Sequence, residues 1–201
     1  ASEEVGLIAG SMAFGDYDSD GDDDFVITGL RPPDEENPDG TIKTFIMTNE
    51  LNLFVPELLP IVNEEGSPTG VYYGTPAWGD YDNDGDLDLI LTGQRNTFSI
   101  DWSLGSEPVT IIYKQDNGAW IPDVTISIDS VGVSTLSWAD YDLDGDIDLF
   151  LAGFKKNQDV VAKIYDNLEG IKNRNEPPSS PVLFTIEPNK DDLFLEWNPS
   201  T

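Results

Sequence analysis

The stretch Trp78 to Gly93 reads WGDYDNDGDLDLILTG. Asp80, Asp82, Asp84, Asp86 and Asp88 stand at every second place, and Gly85 is sixth when Asp80 is counted as first. Leu87, Leu89 and Leu91 then alternate around Asp88 and Ile90 with the period of two that a strand requires. An apolar stretch, Thr75–Trp78, enters the acidic turn, and a strand, Leu87–Thr92, leaves it. The reading is a β-hairpin closed by an aspartate-rich loop.

The same phrase occurs twice more. Phe14 to Gly29 reads FGDYDSDGDDDFVITG, and Trp138 to Gly153 reads WADYDLDGDIDLFLAG. Asp16 and Asp80 are 64 residues apart, and Asp80 and Asp140 are 60 apart. A period of that length marks one supersecondary unit per repeat, about the size of a four-stranded propeller blade. The other units parse alike, with Ser11–Phe14 and Thr135–Trp138 entering and Phe25–Thr28 and Ile147–Ala152 leaving. Third strands are expected at Thr41–Thr48, Val109–Lys114 and Val160–Tyr165. Fourth strands are expected at Leu53–Leu59 and Trp120–Ile128, the second following the hairpin turn Gln115-Asp116-Asn117-Gly118. The polar run Leu168–Glu176 leaves the third unit without one. No long 3.6-residue period occurs, so the fold class is all-β.

Composition narrows the function. The chain carries 39 acidic and 10 basic residues, a net charge of −29, which repels nucleic acid and anionic membrane surfaces. Residues 16–24 hold six Asp, and residues 80–88 and 140–148 hold five each. Clustering that tight needs a counter-charge. With no Cys and no His, the chain has no disulfide, thiol nucleophile or Ser-His-Asp triad, and zinc or copper lose their usual ligands. No apolar run of about 18 residues is present to span a membrane. No signal peptide is visible and the chain does not begin with Met, so it is expected to be an internal piece of a longer protein.

Counted from Asp16, Asp80 and Asp140, carboxylates fall at places 1, 3, 5 and 9, with Gly at 6. Alternate carboxylates in a tight turn aim oxygens at one point, and glycine takes the sharp bend. The expected ligands are Asp16, Asp18, Asp20 and Asp24; Asp80, Asp82, Asp84 and Asp88; and Asp140, Asp142, Asp144 and Asp148. Asp22, Asp86 and Asp146 would each add a main-chain carbonyl. With water this supplies the six to eight hard oxygens that calcium accepts; magnesium demands a tighter octahedron. Three calcium ions are expected. A turn closed only by Asx hydrogen bonds is the competing explanation of any one copy, but three copies in register favour metal. An EF-hand needs Glu at place 12 and a following helix. Ile27, Leu91 and Leu151 stand there, inside strand-like runs. At place 8 the first copy has Asp23 where the others have Leu87 and Ile147, and Asp23 is expected to face solvent.

These residues resemble the FG-GAP/VCBS repeat family, most closely in Trp78–Leu89. The flanks resemble it too: Ser11–Phe14 before the loop, and Ile112-Tyr113 or Ile164-Tyr165 with Asn167 after it. The resemblance implies a β-propeller, as in the integrin alpha-chain headpiece and many secreted bacterial proteins. It also implies calcium between the first two strands of each blade and a ligand-binding face on the opposite side. Three blades would span residues 1–60, 61–128 and 129–170, followed by a linker over 171–180. Residues 181–201, with Leu193, Leu195 and Trp197, resemble the truncated start of a fibronectin type III domain; a disordered linker is the alternative. Together they resemble large secreted proteins of Bacteroidetes-type bacteria. Three blades do not close a propeller, so further blades of the parent chain, or another copy, are expected partners.

The implied function is a non-enzymatic, calcium-stabilised segment of a secreted or cell-surface protein, used in adhesion or in binding a protein or carbohydrate ligand. The alternatives are part of a polysaccharide-degrading enzyme and a purely structural spacer. The inserts Leu30–Gly40, Gln94–Pro108 and Phe154–Asp159 vary most between units. Phe98 and Trp102 in the second could stack on a ligand or fill a local core.

Overall fold

The period-two runs become antiparallel strands. The computed structural model describes residues 6–32, 35, 41–51, 53–59, 61–62, 68–96, 106–167, 188–189 and 192–193. Among these there is no helix. The first sheet has the order β1 (Ile8–Gly15), β2 (Asp24–Arg31), β3 (Thr41–Glu50) and β4 (Leu53–Leu58). Two short strands follow, β5 (Ile61–Val62) and β6 (Pro68–Thr69), paired with each other. The second sheet holds β7 (Pro76–Gly79), β8 (Asp88–Asn96), β9 (Ser106–Asp116) and β10 (Ala119–Pro122), again in sequence order. The third holds β11 (Gly132–Ala139), β12 (Asp148–Phe154) and β13 (Val160–Tyr165). From the tail, only the two-residue strands β14 (Pro188–Asn189) and β15 (Asp192–Leu193) are described. Phe98, Trp102 and the run Leu168–Glu176 lie outside the described residues.

The three sheets share one register. Phe14 faces Phe25, Trp78 faces Leu89 and Trp138 faces Leu149 across the acidic hairpins. Phe25, Leu89 and Leu149 in turn face Met47, Tyr113 and Tyr165 on the third strands. The second sheet lies between the other two. Its Leu89, Leu91 and Val109 pack with Val26 and Ile46 of the first sheet. Its Ile90 and Ile112 pack with Leu136, Leu149 and Leu151 of the third. Both faces of β8 are therefore covered, and the successive residues Leu89, Ile90 and Leu91 are all fully buried. The outer sheets keep one face open: Met12 and Phe14 are 51% and 60% exposed on the first, and Ile164 is 49% exposed on the third.

Close approach between sheets is set at the residue before each of the first two loops. A Cβ on Gly15 would sit 2.8 Å from Trp78 Cδ1, and one on Gly79 would sit 2.8 Å from Trp138 Cδ1 and 2.6 Å from Ile147 Cδ1. The Trp78 indole then donates to the Ala13 carbonyl at 3.1 Å. The place-8 residues find their role here. Leu87 and Ile147 pack against the preceding unit, whereas Asp23, in the first unit, is exposed.

Two expectations are corrected. The fourth strand of the second unit is only Ala119–Pro122, not Trp120–Ile128. Beyond Pro122, the Asp123 carboxylate accepts the Thr125 amide at 2.7 Å and the Thr125 hydroxyl at 2.6 Å, an Asx turn that bends the chain out of the sheet. The insert between β8 and β9 is also shorter than Gln94–Pro108, because pairing runs on to Asn96 opposite Ser106. The turn before β10 is as expected, with Asn117 and Gly118 at φ 51° and 81°, the pair of positive angles that a tight hairpin favours. Val71 and Tyr72, fully buried beside β8, belong to no strand and were not legible as core.

Gly15→Ala tests the sheet-to-sheet contact. The added methyl must displace an indole held by a hydrogen bond, so we expect a loss of roughly 1–3 kcal/mol in denaturant unfolding, with a change in tryptophan emission.

Candidate metal centres

Each loop is built by its own carboxylates before any ion is considered. The place-1 aspartate accepts two consecutive backbone amides. Asp16 takes Asp20 N and Gly21 N at 3.0 and 3.1 Å, Asp80 takes Asp84 N and Gly85 N at 3.1 Å each, and Asp140 takes Asp144 N and Gly145 N at 3.2 Å each. The place-5 aspartates Asp20, Asp84 and Asp144 accept the amides of Asp22, Asp86 and Asp146 at 3.0–3.1 Å. Gly21, Gly85 and Gly145 make the bend at φ 98°, 98° and 102°. The residues at place 4, Ser19, Asn83 and Leu143, are left-handed as well, at φ 59°, 58° and 62°. Asn suits that region and leucine does not.

The place-9 aspartates are buried: Asp24 and Asp88 are 1% exposed and Asp148 is 0%. One carboxylate oxygen of each accepts the amide of the place-2 tyrosine: Tyr17 at 3.2 Å, Tyr81 at 3.2 Å and Tyr141 at 3.1 Å. The other oxygen accepts an amide at the end of the third strand: Asn49 of β3 at 2.7 Å, Gln115 of β9 at 2.9 Å and Asn167, two residues past β13, at 2.8 Å. Sequence reading did not assign this role to Asn49 or Gln115. The signal was an Asn or Gln at the end of each third strand, masked by inserts of unequal length.

The structure brings places 1, 3 and 9 together in every loop. Asp16, Asp18 and Asp24 each offer an oxygen within 4.8 Å of the others', and so do Asp80, Asp82 and Asp88, and Asp140, Asp142 and Asp148. Oxygens that share one calcium ion lie at most roughly 4.6–5.2 Å apart, twice the usual bond length. The place-5 carboxylates lie outside these triads and face the place-7 amides. Within the triads, Asp82 Oδ1 is buried and has no hydrogen-bond partner among the described residues; the same holds outside them for Asp22 Oδ1 and Asp146 Oδ2 at place 7. Such oxygens are costly to bury unless a cation or other donor meets them. The donor set is all hard oxygen, so the residues fit a calcium-type ion.

Electrostatics record the same crowding. Burial pushes the Asp88 carboxyl up to about 6, against the opposing pull of the Gln115 and Tyr81 amides. Asp24 and Asp142 are raised too, first by burial and then by neighbouring aspartates. Asp84 is lowered, because it accepts a hydrogen bond from Lys114. Comparison of the chain with protein-family models, with curated proteins and with solved structures finds no match.

A carboxyl with a folded value above its unfolded one holds its proton more tightly in the folded chain. Metal-free protein should therefore gain stability as pH falls through about 6 toward the ordinary carboxylate range of about 4. Melting in chelator at stepped pH should show this rise, and Asp88→Asn should flatten it. Separately, Leu143→Asn relieves a left-handed leucine that is half exposed. It should raise stability by roughly 0.5–1 kcal/mol in chemical unfolding.

Proposed function

We propose that this chain is a non-enzymatic, calcium-binding segment of a secreted or cell-surface protein, and that its three sheets are successive blades of a partial β-propeller of the FG-GAP/VCBS type. The observation that carries the reading is the threefold recurrence of one carboxylate triad. The Asp16, Asp80 and Asp140 loops share the hydrogen bonds made at places 1, 5 and 9, the same two left-handed positions and the same buried ninth aspartate. A turn that served only to reverse the chain would not need carboxylates at places 3 and 9 within reach of one point.

Calcium, when bound, supplies the positive charge that these converging carboxylates lack. The chain's own residues do the rest. The backbone amides hold Asp16, Asp80 and Asp140 in place, and the place-9 aspartates tie each loop to its third strand. Extracellular modules hold calcium with constants of roughly 10⁻⁴ to 10⁻³ M, so such sites fill outside a cell and empty at cytosolic levels. That range agrees with a secreted or surface location, and the resemblance implies a bacterial protein. Adhesion, through a protein or carbohydrate ligand, is the use that the family resemblance implies. The open faces at Met12 and Phe14 and at Ile164 suit further blades of a longer parent chain.

Calorimetry should give three calcium ions per chain. Excess chelator should lower the melting temperature, and millimolar-scale calcium should restore it, with magnesium much less effective. At about 100-fold excess over the dissociation constant each site adds roughly 2.7 kcal/mol. A metal-free sample that melts identically with and without calcium would defeat the reading.

A further inference from the structure

Besides places 4 and 8, the three loops differ at a position at the end of the third strand. The residue next to the amide that caps the place-9 aspartate is Thr48 in the first unit, Lys114 in the second and Asp166 in the third. Thr48 shares a 2.8 Å hydrogen bond with the Tyr17 hydroxyl. The Lys114 ammonium pairs with Asp82 Oδ2, and with Asp84 Oδ2 at 3.0 Å. These are places 3 and 5 of the second loop. Asp166 is exposed and sits one residue before the Asn167 amide that caps Asp148 of the third loop. Lys114, Asp82, Asp123 and Asp166 line one cleft between the second and third sheets.

Lys114 therefore does for the second loop part of what an ion would do for the others. It neutralises Asp82 and Asp84 from within the fold and takes Asp82 Oδ2, leaving Oδ1 buried and unpartnered. An incoming divalent cation must share those carboxylates with a fixed ammonium a few ångströms away, and like charges at that distance repel. At the third loop the same place holds a carboxylate, which attracts the ion instead. The Lys114 side chain is about a third exposed, so solvent and salt weaken the effect without removing it.

We infer that Lys114 is a tethered counter-ion that grades the three centres. The second loop is the weakest for calcium and the one that stays closed without it. The third is the strongest, and the first lies between. The inference rests on the calcium reading above and deepens it, because it makes the chain fill in a fixed order rather than at once. As calcium falls, the second centre empties first, and Lys114 keeps that loop, between the other two units, from opening.

The test is a calcium titration of the full chain followed by NMR, reading the amides of Gly21, Gly85 and Gly145 as one reporter per loop. The Gly145 midpoint should come first and the Gly85 midpoint last. Lys114→Thr should move the Gly85 midpoint to about tenfold lower calcium, leave Gly21 and Gly145 in place, and lower the melting temperature in chelator. Asp166→Lys should do the converse at Gly145, and it decides the matter if Lys114→Thr fails to fold. Three coincident midpoints, or a Gly85 midpoint indifferent to Lys114→Thr, would overturn the grading while leaving the calcium reading intact. No response at any of the three glycines would remove both.

Discussion

The fold turns on a buried carboxylate with two backbone amides on it. Asp24, Asp88 and Asp148 each join three pieces of chain that are separate in sequence: the start of the acidic loop, the second strand and the end of the third. A buried ionised group is tolerated only where its oxygens are met, and here both are. Removing the carboxylate would orphan two amides at once, each costing roughly 1–3 kcal/mol. The loop's shape and the sheet's register are thus one constraint rather than two.

The same loop is also bolted to its neighbour. The Tyr17 ring stacks on Trp78 at 5.7 Å between centroids and touches Trp120 at 5.6 Å. The Tyr17 carbonyl accepts from Gln115 of the second unit, and the Tyr81 carbonyl accepts from Asn167 of the third. Asn83 reaches across to Asp146, joining the second loop to the third at 2.6 Å. Loop and inter-sheet core are therefore mechanically continuous. Whatever neutralises the aspartates also steadies the packing of one sheet on the next, as expected for units that contact only their neighbours.

Charge is the counterweight to all of this. With 39 acidic residues against 10 basic, the chain resists its own compaction. Its few cations are placed with economy. Lys114 serves the second loop, while Lys155 and Lys163 both pair with Asp129, whose carboxyl they hold well below the usual range. Three like acidic loops carrying three unlike overseers is the arrangement through which equal motifs can behave unequally.

The sequence alone determined the units, the hairpins and the acidic loops, because period-two alternation and alternate aspartates around a glycine are local patterns. They need no knowledge of distant residues. Place 1 to place 9 of each loop lie within nine residues, so the convergence of Asp80, Asp82 and Asp88 was legible. The end of the strand at Pro122 was not, since an Asx turn at Asp123 and a period-two apolar run look alike until the chain bends. Tertiary structure alone decided the rest. It showed that Leu87 and Ile147 are contacts between units, and that Val71 and Tyr72 fill a core from outside any strand. It also showed that Gln115 and Lys114, 27 and 26 residues beyond Asp88, reach back to the second loop. Those partners depend on how far each insert carries the chain before it returns. Insert length is what differs between the units, so no local pattern could encode them.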